Sequence, residues 1–204
     1  MFCSSQRRAR CALALEVVVA STLLLVHQEL LAAPSGSKDS VGQCKLESLP
    51  DDIRGTLTRR FSEWKVQEPT DLSGSARDRW VAESPPSCPG IATGRFQNDK
   101  ETAYALLLIA IDRSDPEFSV IVFTQQPKVK GIYGYKLVEH AEAGASDTFL
   151  LSTATSRYLQ VDSIWKSRSR PQDSLLLVNV GAKKEAYVYY WVNDTYQRQA
   201  VNYE

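Results

Sequence analysis

Eight residues restrict this chain more than any others: Tyr104 to Ile111, YALLLIAI, reads as a strand with no polar face. A half-solvated strand alternates apolar and polar residues. One that does not must be covered on both sides and lie centrally in its sheet. Ser119 to Phe123 and Leu175 to Val180 have the same character. The chain therefore needs layers on both faces of its sheet.

Strand, turn, strand is the pattern on either side of that segment. A short strand, Ile91 to Phe96, runs into a polar turn, Gln97 to Thr102, and then into the apolar strand. Further strands are expected at Phe118 to Thr124, Tyr133 to His140, Thr148 to Thr153, Tyr158 to Ser163, Ser174 to Val180, Ala186 to Val192 and Tyr196 to Val201, with Gly, Pro, Asn and Asp at the breaks. The links are too short for parallel crossovers, so neighbours should be antiparallel. Asn193-Asp194 has the chemistry of a two-residue hairpin turn.

Before the strands comes helix. Pro50, Asp51 and Asp52 suit a helix start, where a missing N–H costs nothing and acids meet the positive end of the dipole. Ile53, Leu57, Phe61 and Trp64 recur at helical spacing and predict one apolar stripe. Glu68 to Gly74 reads as loop, and Ala76 to Glu83 as a short second helix carrying Trp80. Three prolines between Pro85 and Gly90 then stiffen an extended path. The expected class is α+β: an N-terminal helix packed on a meandering antiparallel sheet, with a second layer over the other face. That layer comes either from the sheet folding over itself or from strands such as Tyr133 to His140.

The first 35 residues read as an export signal. Arg7, Arg8 and Arg10 precede an apolar run, Ala12 to Val26, with one charge at Glu16, and small residues come after it at Ala32, Ala33 and Ser35. The run is short for a membrane span, so cleavage is expected and an uncleaved anchor is the alternative. Residues 36–47 read as a flexible tether and 48–204 as a single domain. The destination is periplasmic or secreted.

Residues 36–204 carry 21 Lys and Arg against 22 Asp and Glu. Such a balance gives no global attraction to nucleic acid or to an anionic membrane. Cys44 and Cys88 are the only cysteines of that stretch. In an oxidising compartment they are expected to pair, closing a loop of about 45 residues worth roughly 4 kcal/mol in the chain-entropy model, with two free thiols as the alternative. Residues 36–204 hold one histidine, His140, and no close cysteine pair, so no metal site is expected.

Gly94-Arg95-Phe96-Gln97-Asn98-Asp99, followed by Tyr104-Ala105-Leu106-Leu107, resembles the FG-GAP or VCBS-type repeat. In that family a G-D-F-x-G-D-G-x-x-D loop joins two strands and often binds calcium. The resemblance implies oxygen ligands at positions 95, 97, 99 and 103, where this chain has Arg95, Gln97, Asp99 and Ala103. Calcium takes six to eight oxygens. The loop is therefore expected to keep its shape without the ion, and a single copy builds no propeller. The layout also resembles a set of uncharacterised exported bacterial proteins, through the helix at Leu49 to Ile53, the segment Cys88 to Phe96 and the Tyr189-Tyr190-Trp191 strand.

No nucleophile motif, phosphate loop or cofactor fingerprint is present. His140 reads as a satisfied strand-end histidine. Asp112, Asp115, Glu117, Asp162 and Asp173 fall near strand ends. A hydrolase of envelope polymers would need two of them, such as Asp112 and Asp162, across a cleft. Lys166 to Arg170 is a basic run expected to be solvated or to touch a polyanion. Tyr187, Tyr189 and Trp191 share one strand face, with Tyr196 and Tyr203 near them across the last hairpin. Aromatics so placed serve either sheet packing or a platform for a sugar or a protein. The function expected is a non-catalytic exported domain binding an envelope protein or glycan through Tyr187, Tyr189, Trp191 and Tyr196. The alternatives are the hydrolase and a purely structural scaffold.

Overall fold

The computed structural model describes residues 44–83, 88–97, 100–112, 116–152, 173–182 and 184–201. Its elements in chain order are α1 (Asp51–Arg60), β1 (Trp64–Val66), α2 (Gly74–Glu83), β2 (Ile91–Gly94), β3 (Ala103–Ala110), β4 (Phe118–Gln125), β5 (Tyr133–Ala141), β6 (Thr148–Ser152), β7 (Leu175–Asn179), β8 (Glu185–Val192) and β9 (Thr195–Val201). The expected strand at Tyr158 to Ser163, the run Lys166 to Arg170, the export signal at 1–35, Asp99 and Tyr203 lie outside the described residues.

The strands form two antiparallel sheets. The first is ordered β1-β3-β4-β5, with β2 also pairing β3, and the second is the meander β6-β7-β8-β9. β1 pairs the Leu108–Ala110 half of β3 and β2 the Ala103–Leu106 half, so together they make one split edge. Opposite the gap sits Leu107, whose carbonyl accepts from Gln67 N at 3.0 Å and whose amide donates to Gly90 O at 2.9 Å. The ladder thus continues across the break.

Alternation explains the doubly apolar strands. Ala105, Leu107 and Ile109 of β3 and Val120 and Val122 of β4 meet Leu150, Leu175, Leu177 and Tyr189 of the second sheet in a central core. On the opposite face, Leu106, Leu108, Ile121 and Phe123 pack under Ile53 and Leu57 of α1. The second sheet repeats the arrangement, with Leu176, Val178, Phe149 and Val188 under Ala76 and Trp80 of α2. The result is four layers, helix, sheet, sheet, helix, in an α+β fold. Each fully buried aliphatic side chain is worth about 1.5–3 kcal/mol relative to exposure.

Three details differ from the sequence expectation. The second layer is a separate sheet, β6 to β9, whereas residues 133–141 form the edge of the first sheet. The stripe Ile53, Leu57, Phe61, Trp64 does not stay on one helix. α1 ends at Arg60, Phe61 caps it, and Trp64 opens β1. That strand spans three residues, too few for alternation to show. Finally, β2 stops at Gly94, and Phe96 turns into the central core.

Cys44 and Cys88 form the expected disulfide, with Cα atoms 5.2 Å apart. It ties the chain ahead of α1 to the entry of β2. On that side a backbone bond joins the sheets, Leu150 N donating to Pro89 O at 2.8 Å. On the other side, β5 and β9 are the outer strands of their sheets. That open seam is closed by side chains.

Candidate functional site

The seam begins with an irregularity in β5. Val120 faces Glu139 and Ile121 faces Leu137, so Val138 is an extra residue in the ladder. Such a bulge puts consecutive side chains on one face. Val138 packs on the central core, and Glu139 reaches the second sheet beside it.

There Glu139 Oε2 accepts from Tyr189 OH at 2.6 Å and from an Arg198 guanidinium nitrogen at 3.1 Å. Tyr189 is 2 % exposed. Burial, reinforced by the bond to Glu139, pushes its phenol far above the ordinary value. At neutral pH it therefore donates to Glu139. Arg198 also lies over the Tyr187 ring, 4.7 Å from its centroid, and Tyr187 OH donates to Glu185 at 2.8 Å. That bond, more than burial, raises the Tyr187 phenol.

Three residues back along β5, Lys136 Nζ donates to Asp194 O at 3.0 Å and stands 4.3 Å above the Trp191 ring. Trp191 and Tyr196, paired across β8 and β9, meet edge to face at 4.9 Å. Burial pushes the Tyr196 phenol far up, partly offset by the Gln97 side chain.

The four aromatics named from the sequence are thus brought together on the inner face of the last hairpin. Tyr189 is committed to holding the sheets. Tyr187, Trp191 and Tyr196 are half-buried along the seam. Lys136, Glu139 and Arg198 were not singled out from sequence. The signal for the first two was hidden, because they share a face only through the bulge.

At the Lys136 end the seam opens into a groove of about 260 Å³, lined by Gln97, Glu101, Thr124, Gln126 and Lys136 among others. Thr124 Oγ1 is shielded and has no hydrogen-bond partner among the described residues. Lys136 and Gln97 line this groove and also touch the aromatic hairpin, Lys136 at Trp191 and Gln97 at Tyr196.

A second cleft, of about 490 Å³, lies at the other end of β3 and is lined by Ser62, Glu63, Trp64, Asp112 and Glu117. Asp112 is exposed at φ 67°. Asp162 and Asp115 lie outside the described residues. His140 Nδ1 is 3.0 Å from Ser119 Oγ, and its ring meets Trp64 edge-on at 6.3 Å. Among the described residues no group of three His, Cys, Asp or Glu side chains is placed to hold a metal. In the loop resembling an FG-GAP repeat, the Arg95 amide donates to Asp173 at 2.8 Å and Ala103 is buried.

What the fold defines is a four-layer α+β domain with a polar-aromatic seam. Comparison with known proteins takes it no further: no family model, no curated protein and no solved structure matches the chain. The resemblance of residues 94–107 to FG-GAP-type repeats stands on those residues alone.

Proposed function

We propose that this chain is an exported, non-catalytic domain that binds a glycan strand of the cell envelope in the groove beside Lys136, with Trp191 and Tyr196 as its aromatic flank. The observation that carries this reading is the Thr124 hydroxyl, unpartnered among the described residues, in a groove whose other lining includes the amides of Gln97 and Gln126. Saccharide hydroxyls both donate and accept, and amides and hydroxyls offer both. Their C–H faces suit a neighbouring aromatic wall. Export is supported by the N-terminal basic and apolar segments and by the Cys44–Cys88 bridge, which fits an oxidising compartment.

The test is retention of the protein on insoluble envelope glycan, competed with soluble fragments of the same polymer. Thr124→Val and Gln126→Ala should each weaken retention about 5- to 10-fold, the worth of one hydrogen bond to a buried polar partner. Retention unchanged in both variants rejects the groove.

A second reading, a carboxylate-dependent hydrolase, is favoured only by the cleft holding Glu63, Asp112 and Glu117. It requires that the wild-type chain release soluble fragments from the polymer and that Asp112→Asn or Glu117→Gln abolish the release. No release by wild type discards it.

A further inference from the structure

Exposed apolar surface in this fold is concentrated on one hairpin. Seven large hydrophobic side chains stand open among the described residues, and four lie between positions 129 and 137: Val129 and Ile132 (each 43 % exposed), Tyr135 (38 %) and Leu137 (61 %). The other three, Leu46, Val81 and Ile111, are scattered singly, as surface hydrophobics ordinarily are. Residues 126–132, which join β4 to β5, are exposed throughout. They form a folded tip, in which Gln126 N donates to Ile132 O at 2.8 Å and Val129 N to Gln126 O at 3.3 Å. A side chain added at Gly131 would meet nothing within 4 Å, so the turn is open at that point.

The charge carried by the hairpin itself has one sign. From Phe118 to Val138 the chain contains Lys128, Lys130 and Lys136 and no carboxylate. Lys136 is turned onto Trp191, which leaves Lys128 and Lys130 at the tip. Arg60 adds a cation 5.9 Å from the Tyr135 ring centre. Two acids stand at the neck of the tip, beside Tyr133: Asp52, which accepts from the Tyr133 amide at 2.8 Å, and Glu101, which lines the groove next to Gln126.

Aliphatic side chains interleaved with lysines on an exposed turn suit the headgroup layer of a bilayer. Apolar groups enter the acyl boundary there, and cations meet lipid phosphates. A stable protein interface needs a broad continuous patch. The alternation Lys128-Val129-Lys130 breaks the surface too finely for that. We infer that the β4–β5 tip is a peripheral docking element for an anionic lipid bilayer, with Val129 and Ile132 inserted and Lys128 and Lys130 on the phosphates. The near-neutral chain as a whole supplies no attraction, so the pull is local. Each tip lysine contributes about fivefold to partitioning. The tip borders the glycan groove at Gln126, but the inference does not depend on that groove.

Hydrogen exchange read by mass spectrometry on the full chain tests it, because the readout is local to residues 126–132 and blind to association through the N-terminal apolar run. Vesicles of phosphatidylcholine with about one third phosphatidylglycerol should slow exchange at the tip by about fivefold or more, and phosphatidylcholine alone should not. Lys128→Gln/Lys130→Gln and Val129→Ser/Ile132→Ser should each remove the slowing while keeping the wild-type thermal midpoint, since all four residues are exposed. Unchanged tip exchange with anionic vesicles, equal slowing by neutral vesicles, or slowing that survives both variants overturns the inference. Slowing seen only with extracted envelope proteins also overturns it and assigns the tip to a protein.

Discussion

Glu139 shows how much one side chain decides here. It is the shared acceptor for a buried phenol and a half-exposed guanidinium, so removing it leaves the Tyr189 O–H without its acceptor in the core. Glu139→Ala should cost about 1–3 kcal/mol, the penalty of an unpaired buried polar group, and Glu139→Gln less because the amide oxygen still accepts. Urea titration checks both. The Tyr189 phenol also carries a pH signature. Its folded pKa lies above the unfolded value near 10.0, so its contribution is fully present below that pH and is lost as pH rises beyond it. Unfolding stability should fall above about pH 10 by up to ~1.4 kcal/mol per pH unit for each such tyrosine, and Tyr189→Phe should flatten the decline. Gly90 is a third decisive position. A Cβ there would stand 2.5 Å from Gln67 O, where the two half-strands pass each other. Gly90→Ala should destabilise by about 2–3 kcal/mol, read as a lowered thermal midpoint.

Among the elements, the β8–β9 hairpin was legible from sequence because its turn chemistry is local. Asn193 and Asp194 adopt φ 49° and 60°, the left-handed pair of a type I′ turn. Asp tolerates that region less well than Gly, and the Asp194 contact with Lys136 uses only its backbone carbonyl. Asp194→Gly should therefore raise stability by roughly 0.5–1 kcal/mol, seen as a higher urea midpoint. The doubly covered strands β3, β4 and β7 were legible for a similar reason: absence of a polar face is itself a pattern. The division into two sheets was not. Antiparallel links between consecutive strands look alike whether the next strand stays in its sheet or starts another, and only the opposed cores distinguish them. The aromatics of β8 were visible as a set. Their partners Lys136 and Glu139 were not, because these reach the hairpin from a strand 50 or more residues earlier and share a face only where that strand bulges.

At the scale of the molecule, the disulfide and the shared core do different work. The central core takes side chains from both sheets, so neither sheet can keep its inner face covered if the other unfolds. The Cys44–Cys88 bridge lies off to one side, over the α1 layer, and spans 44 residues. It restricts the unfolded chain more than it adds contacts to the folded one. Cys44→Ala/Cys88→Ala should therefore lower stability by up to about 4 kcal/mol without dividing the transition. Unfolding followed by tryptophan fluorescence, which samples Trp64, Trp80 and Trp191 in different layers together with Trp165 outside the described residues, should superimpose on unfolding followed by far-ultraviolet circular dichroism in both forms. If α1 instead melted first in the bridge-free form, the two probes would separate. The disulfide would then be what holds the outer helix to a core that is stable without it.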